Sequence, residues 1–199
     1  MTLTKKETTS LYRFLDKESN SSMNKILFLT GMPASGKSYW AEILSAYLKY
    51  PFFDLDQQIT IQTSSSIPEL FARGETYFRL TEQRVLTNLI RLQQQTVIIA
   101  TGGGTPCFHD NLQIMKRSGK IIFLHTPLHI IVQRILASPH QRPLLKSDDT
   151  DPETTIQMLY LKRKSYYLQA DLVIDPTQLS AADFSLMIRQ QLLQNNGIL

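Results

Sequence analysis

Cysteine is almost missing from this chain: Cys107 is the single one in 199 residues, so no internal disulfide can form. Long apolar runs are missing as well, and without a stretch of about 18 such residues there is no candidate for a bilayer-spanning helix. No nucleic-acid motif occurs. The net charge of +4 and the isoelectric point near 9.2 could attract a polyanion, but the basic residues are spread along the chain, and a small anionic ligand accounts for them as well. The N-terminal segment, residues 1–22, lacks the apolar core of a secretion signal, and its three acidic residues argue against a transit peptide. Internal repeats and low-complexity tracts are absent. These absences predict a soluble, cytoplasmic chain that binds neither nucleic acid nor membrane.

What is present suffices for a core. Hydrophobic residues make up 42% of a length typical of one domain. Residues 1–22 end in the polar hinge Ser19-Asn20-Ser21-Ser22 and read as an unassigned extension, with a single domain over residues 23–199. Five short apolar runs follow: Ile26 to Thr30, Phe52 to Phe53, Val97 to Ala100, Ile121 to Leu124 and Leu172 to Ile174. Continuous runs this short suit strands buried on both faces. Between them lie segments of helical spacing. Ser66 with Glu69 forms a capping-box pattern, and Ser180 with Asp183 repeats it. Phe78, Glu82, Val85, Leu86 and Leu89 share one face of a long helix, and Asp110 to Ser118 makes another that Gly119 can close. Strands alternating with helices predict an α/β fold: a parallel sheet of about five strands, covered on both faces, with ligands at the carboxyl ends of the strands.

The first run leads directly into Gly31-Met32-Pro33-Ala34-Ser35-Gly36-Lys37-Ser38, followed by Tyr39. Glycines at this spacing after a strand let successive backbone amides line a concave turn, and the helix that follows presents its positive end to an anion. This P-loop is expected to grip the phosphates of ATP, with Lys37 reaching the β- and γ-phosphates and the Ser38 hydroxyl ligating Mg²⁺. At the end of the second run stands Phe53-Asp54-Leu55-Asp56, and side-chain alternation along a strand is expected to send both carboxylates to one side. A helix cap plus a solvated acid is the plainer reading; beside a P-loop, the pair suits a metal and an acceptor hydroxyl. The third run ends in Thr101-Gly102-Gly103-Gly104, where three glycines imply that something approaches the backbone closely. Arg79, three residues before Glu82, is by local sequence either an intrahelical ion-pair partner or a ligand-binding arginine.

Taken in order, GMPASGKS, FFDLD, SIPELFARGETYFRLTE, ATGGG, RPLL and KRKSYYLQAD resemble the shikimate kinase family over nearly everything from Lys25 to Ile174. The resemblance implies a P-loop, nucleoside-monophosphate-kinase-like fold and transfer of the ATP γ-phosphoryl group to the 3-hydroxyl of shikimate, a step toward chorismate and the aromatic amino acids. It also implies roles for single residues. Lys37 and Ser38 serve phosphate and Mg²⁺, Asp54 sits near the metal, and Asp56 binds the acceptor hydroxyl. Gly102, Gly103 and Gly104 line the acceptor pocket, and Arg79 binds the acid's carboxylate. Arg142 resembles the arginine of a lid at about residues 138–151 that closes over ATP and stabilises charge on the transferred group; Arg134 either resembles the adenine-stacking arginine or belongs to a solvated helix face. Lys37, Asp56 and Arg142 are thus the expected catalytic residues.

A second carboxylate-binding arginine has two registers: Arg163 with Tyr167, which needs a one-residue deletion before Ala170-Asp171, and Lys162 with Tyr166, which needs no gap. The arginine register is preferred, because lysine lacks the bidentate fork. The chain departs from the family at Ala34, where glycine is usual, and before Met23, where no counterpart is evident. Cys107 reads as a small buried thiol and His109 as a helix-start residue. A monomer is expected. Kinases of other small acids such as gluconate, and a non-catalytic ATP-binding paralogue, are the competing readings.

Overall fold

The computed structural model describes residues 26–137 and 151–194. Five parallel strands, Ile26–Thr30 (β1), Phe52–Asp54 (β2), Val97–Ala100 (β3), Gly119–Leu124 (β4) and Leu172–Ile174 (β5), form one sheet in the order β2-β3-β1-β4-β5. The helices are Lys37–Leu48 (α1), Leu55–Thr63 (α2), Ile67–Ala72 (α3), Glu75–Arg91 (α4), Asn111–Ser118 (α5), Leu128–Leu136 (α6), Pro152–Tyr167 (α7) and Ala181–Gln194 (α8). Short 3₁₀ turns stand at Thr105–Cys107 and Pro176–Gln178. Among the described residues no helix is long and apolar enough to cross a membrane.

The unbroken apolar character of β1 follows from its place at the centre of the sheet. Ile26 and Phe28 pack with Leu55, Ile59, Leu70, Phe78, Leu86 and Met115, under α2 to α5. Leu27 and Leu29 point the other way, into Trp40, Ala41, Leu44, Phe184 and Ile188 of α1 and α8. Period-two alternation therefore feeds two cores, and every residue of the strand is buried. The expected face of α4 is the inward one, since Phe78, Glu82, Val85, Leu86 and Leu89 are all buried. At α3 the capping box is complete: the Ser66 hydroxyl accepts from the Glu69 amide and the Glu69 carboxylate from the Ser66 amide. At α8 the Ser180 hydroxyl again accepts from the Asp183 amide, but the shorter carboxylate of Asp183 takes the Ser180 hydroxyl instead of the backbone.

Three strands have the expected bounds; β2 runs one residue further, to Asp54, and β4 starts two residues earlier, at Gly119. Gly119 ends α5 as expected, but in extended rather than left-handed backbone (φ 175°), because it is already paired with Ile26 of β1. A Cβ at Gly119 would lie 1.9 Å from the Ile26 carbonyl oxygen. Gly119→Ala is therefore expected to cost about 3 kcal/mol through overpacking, with no backbone-conformation penalty. Urea unfolding checks it; an unchanged midpoint would contradict the β1–β4 spacing.

Candidate active site

β1 ends at Thr30 and delivers the P-loop to the carboxyl edge of the sheet. Gly31 has φ 145°, and a Cβ there would stand 2.8 Å from the Leu124 carbonyl oxygen, so both backbone conformation and space demand glycine. Gly36, with φ 96°, is the N-cap of α1 and offers no side chain to the first amides, which leaves the helix end for an anion. Lys37 folds back over the loop, its Nζ donating to the carbonyl oxygens of Gly31 (3.1 Å) and Met32 (2.9 Å). Ala34 has φ 62°: the loop keeps the left-handed conformation glycine would adopt and bears a methyl there, at roughly 1 kcal/mol. The Ala34 carbonyl accepts from Arg134 Nη1 at 3.0 Å, which brings α6 to the loop.

Ser38 Oγ donates to Asp54 Oδ2, joining the start of α1 to the end of β2. Asp54 also caps α2, its Oδ1 accepting from the amides of Asp56 (3.0 Å) and Gln57 (3.3 Å). The two carboxylates are thus brought together by a helix start, not by strand alternation: β2 stops at Asp54, and Leu55, fully buried, begins α2. The cap reading of Asp54 is thus met. Among the described residues no three His, Cys, Asp or Glu side chains form an all-protein metal cage. A hydroxyl and one carboxylate are hard oxygen donors of the kind Mg²⁺ uses when phosphate and water complete its shell.

A cavity of about 620 Å³ spans this region, walled by Ala34, Gly36 to Trp40, Asp54, Asp56, Thr101, Gly102, Gly103, Arg134 and Pro176. Trp40, Thr101 and Pro176 were not anticipated. Thr101 and Pro176 follow strands whose carboxyl ends face the ligand side, the signal by which they could have been found. Trp40 carries no motif signal; it lines the cavity and packs at a tilt against Phe184 (centroids 4.5 Å, interplanar 48°).

The expected close approach at the glycine turn has three partners. A Cβ on Gly102 would meet Glu82 Oε1 at 2.9 Å and Asp56 Oδ1 at 3.2 Å; on Gly103, Pro33 Cδ at 2.9 Å and the Gly31 carbonyl at 3.2 Å; on Gly104, the Arg79 guanidinium at 2.7 to 2.9 Å. Arg79, 3% exposed, pairs with Glu82 (3.0 Å) and Glu75 (3.1 Å) and lies over the Phe108 ring, 3.9 Å from its centroid. The intrahelical ion-pair reading of Arg79 is the one observed, and those pairs hold the guanidinium against the turn at Gly104. Burial pushes the Glu82 carboxyl above its ordinary range, against the pull of Arg79 and the Thr105 hydroxyl.

The competing registers on α7 separate by burial. Arg163 and Tyr167 face inward, while Lys162 and Tyr166 are exposed. Arg163 makes no ion pair among the described residues, and its Nη1 is buried without a hydrogen-bond partner. A buried guanidinium N–H of this kind calls for an anion. Arg79 and Arg163 do not wall the large cavity; they stand beyond the glycine turn, where both act on the Cys107 thiol. His109, with φ 51°, precedes the Asp110 cap of α5 and is not itself helical. Arg142 and residues 138–150 lie outside the described residues.

A P-loop at the centre of a 2-3-1-4-5 parallel sheet, with a hydroxyl–carboxylate pair beside it and a cavity of about 620 Å³ spanning both, defines a small-molecule kinase of the nucleoside-monophosphate-kinase type. The shikimate kinase family model matches residues 33–193. The chain is 36% identical over 156 residues to shikimate kinase of Bacteroides thetaiotaomicron, covering 77% of this chain and 87% of that one. It is 39% identical to that of a Synechococcus strain over 167 residues, 83% of each. The structure of Acinetobacter baumannii shikimate kinase in complex with shikimate superposes with a TM-score of 0.77 at 31% identity, over 86% of this chain and 94% of that one. The chain belongs to the shikimate kinase family.

Cys107 is no nucleophile in this arrangement. Burial pushes its thiol up to about 11, against the pull of Arg163 and Arg79. Alkylation by iodoacetamide at pH 8 is expected to run about a hundredfold slower than that of an unperturbed thiol, in proportion to the thiolate present. A rate equal to that of free cysteine would contradict the packing of the 3₁₀ turn.

Proposed function

We propose that this chain is a shikimate kinase: it transfers the γ-phosphoryl group of ATP to the 3-hydroxyl of shikimate, giving shikimate 3-phosphate and ADP. The observation that carries this reading is the unpartnered Nη1 of buried Arg163, near the turn at Cys107 and outside the wall of the P-loop cavity. An acceptor that bears a carboxylate supplies the missing partner, and a polyhydroxylated ring places a hydroxyl toward Asp56. Arg79, already held by two carboxylates, gives the acid a second donor edge.

In this reading the loop amides from Gly31 to Ser38 and Lys37 hold the triphosphate, and Lys37 leaves its own carbonyls to do so. Tyr39, Trp40, Arg134 and Pro176 border the rest of the nucleotide. Ser38 and Asp54 would hold Mg²⁺, which when bound would neutralise phosphate charge. Asp56 accepts the hydrogen bond of the 3-hydroxyl and the proton it sheds; the hydroxyl oxygen bonds to the γ-phosphorus as the bond to the β–γ bridging oxygen breaks and ADP departs. Positioning and charge do most of the work, as a loose phosphoryl transfer requires. We assign Arg142 to the transferred group on the family resemblance, within a lid at about residues 138–151. We further propose one kinase domain over residues 23–199, preceded by an extension, acting as a cytoplasmic monomer.

Phosphate transfer from ATP across a panel of polyhydroxylated acids tests the acceptor: kcat/KM is expected to be highest for shikimate, and a preference for gluconate would overturn the reading. Asp56→Asn should lower kcat by about 10²- to 10⁴-fold and leave ATP affinity within about twofold. Trp40, the chain's single tryptophan, reports that affinity by fluorescence. A collapse of ATP binding would remove Asp56 from the acceptor side. Arg163→Lys, which keeps charge and loses the fork, should raise the KM for shikimate about tenfold with the KM for ATP unchanged; the reverse pattern would place the guanidinium with the nucleotide.

A further inference from the structure

Tyr167 is the largest fully buried side chain described, in a cluster with Met32, Phe123, Ile131 and Ile156. Its ring stacks on Phe123 with centroids 4.9 Å apart. Phenylalanine would satisfy that packing equally well. The hydroxyl is the one oxygen among the five side chains of this cluster, and bringing it there costs desolvation unless it is bonded. It donates to the Gly103 carbonyl at 2.6 Å and lies 3.7 Å from Met32 Sδ. Gly103 is the residue of the turn that abuts the P-loop, at Pro33 and Gly31. Arg163 stands one helical turn earlier on the same buried face of α7.

We propose that Tyr167 is a positioning residue: its hydroxyl pins the glycine turn through Gly103 and thereby sets where the acceptor acid sits relative to the P-loop. The inference rests on the kinase reading above. Burial holds the phenol well above its ordinary titration range, with the nearby Arg163 guanidinium pulling the other way, so the donor persists across the working pH range. The lost interaction in Tyr167→Phe leaves the half-buried Gly103 carbonyl without this donor, while the P-loop amides are untouched.

The test compares wild type, Tyr167→Phe and Phe123→Leu, the last loosening the same cluster without altering the hydrogen bond. For whichever acid of the panel wild type phosphorylates, Tyr167→Phe is expected to raise the KM for that acid about tenfold, with ATP affinity within about twofold. Phe123→Leu should lower the thermal midpoint and leave both constants within about twofold. The proposal is overturned if Tyr167→Phe leaves the acid KM unchanged, if both KM values rise together, or if Phe123→Leu reproduces the shift. A fall in thermal midpoint of Tyr167→Phe by more than about 10 °C would also overturn it, since the hydroxyl would then serve the fold. Absence of turnover on shikimate by wild type fails the acceptor assignment alone, because the comparison proceeds on the acid that is used.

Discussion

The site depends on close backbone approach at one turn. Gly102, Gly103 and Gly104 present no side chains, and each is pressed by a different neighbour: the Glu82 and Asp56 carboxylates, the P-loop at Pro33 and Gly31, and the Arg79 guanidinium. A methyl at any of the three would meet heavy atoms at 2.7 to 2.9 Å, closer than a Cβ tolerates. One stretch of backbone is therefore packed between the P-loop on one side and the Arg79 guanidinium on another. Five of the chain's eight glycines lie in these two loops, so the permissive residue is concentrated where ligands and backbones converge.

Around that turn the charges are arranged unequally. Arg79 is neutralised in place by exposed Glu75 and buried Glu82, and breaking the buried Arg79–Glu82 pair from one side would typically cost about 3 to 5 kcal/mol. Its first task is to hold geometry. Arg163 carries a buried N–H, at Nη1, with no partner among the described residues. The buried Glu82 carboxyl, pushed up by desolvation, is tied to the turn through the Thr105 hydroxyl at 2.8 Å. In the proposed reading an acid's carboxylate would take the open Arg163 N–H; α7, which bears Arg163, directly follows the segment that bears Arg142.

Much of this was legible from residues alone, for reasons that differ by element. The P-loop was, because its glycines and lysine sit at a spacing imposed by a single backbone geometry. Strands β1, β3 and β5 were, because burial on both faces leaves an uninterrupted apolar run. The Asp54–Asp56 pair was found for an incorrect reason: strand alternation was expected, whereas Leu55 starts a helix and Asp54 caps it. The start of β4 was missed because Gly119 looks like a helix terminator, and only the distance to Ile26 shows why no side chain fits. The α7 register could not be settled by spacing, since both alternatives put a tyrosine four residues after a cation; burial of Arg163 and Tyr167 separates them. Trp40 and Pro176 were invisible to motif reading, being placed by packing in three dimensions.

The central claim is that Arg163 and Arg79 receive a carboxylate beyond the glycine turn while a polyphosphate occupies the P-loop. A crystal structure of the chain with ADP, Mg²⁺ and shikimate examines it directly. The account places the acid's carboxylate within hydrogen-bond distance of Arg163 Nη1 and its 3-hydroxyl toward Asp56. Density for the acid elsewhere, with that guanidinium nitrogen still unpartnered, would contradict it.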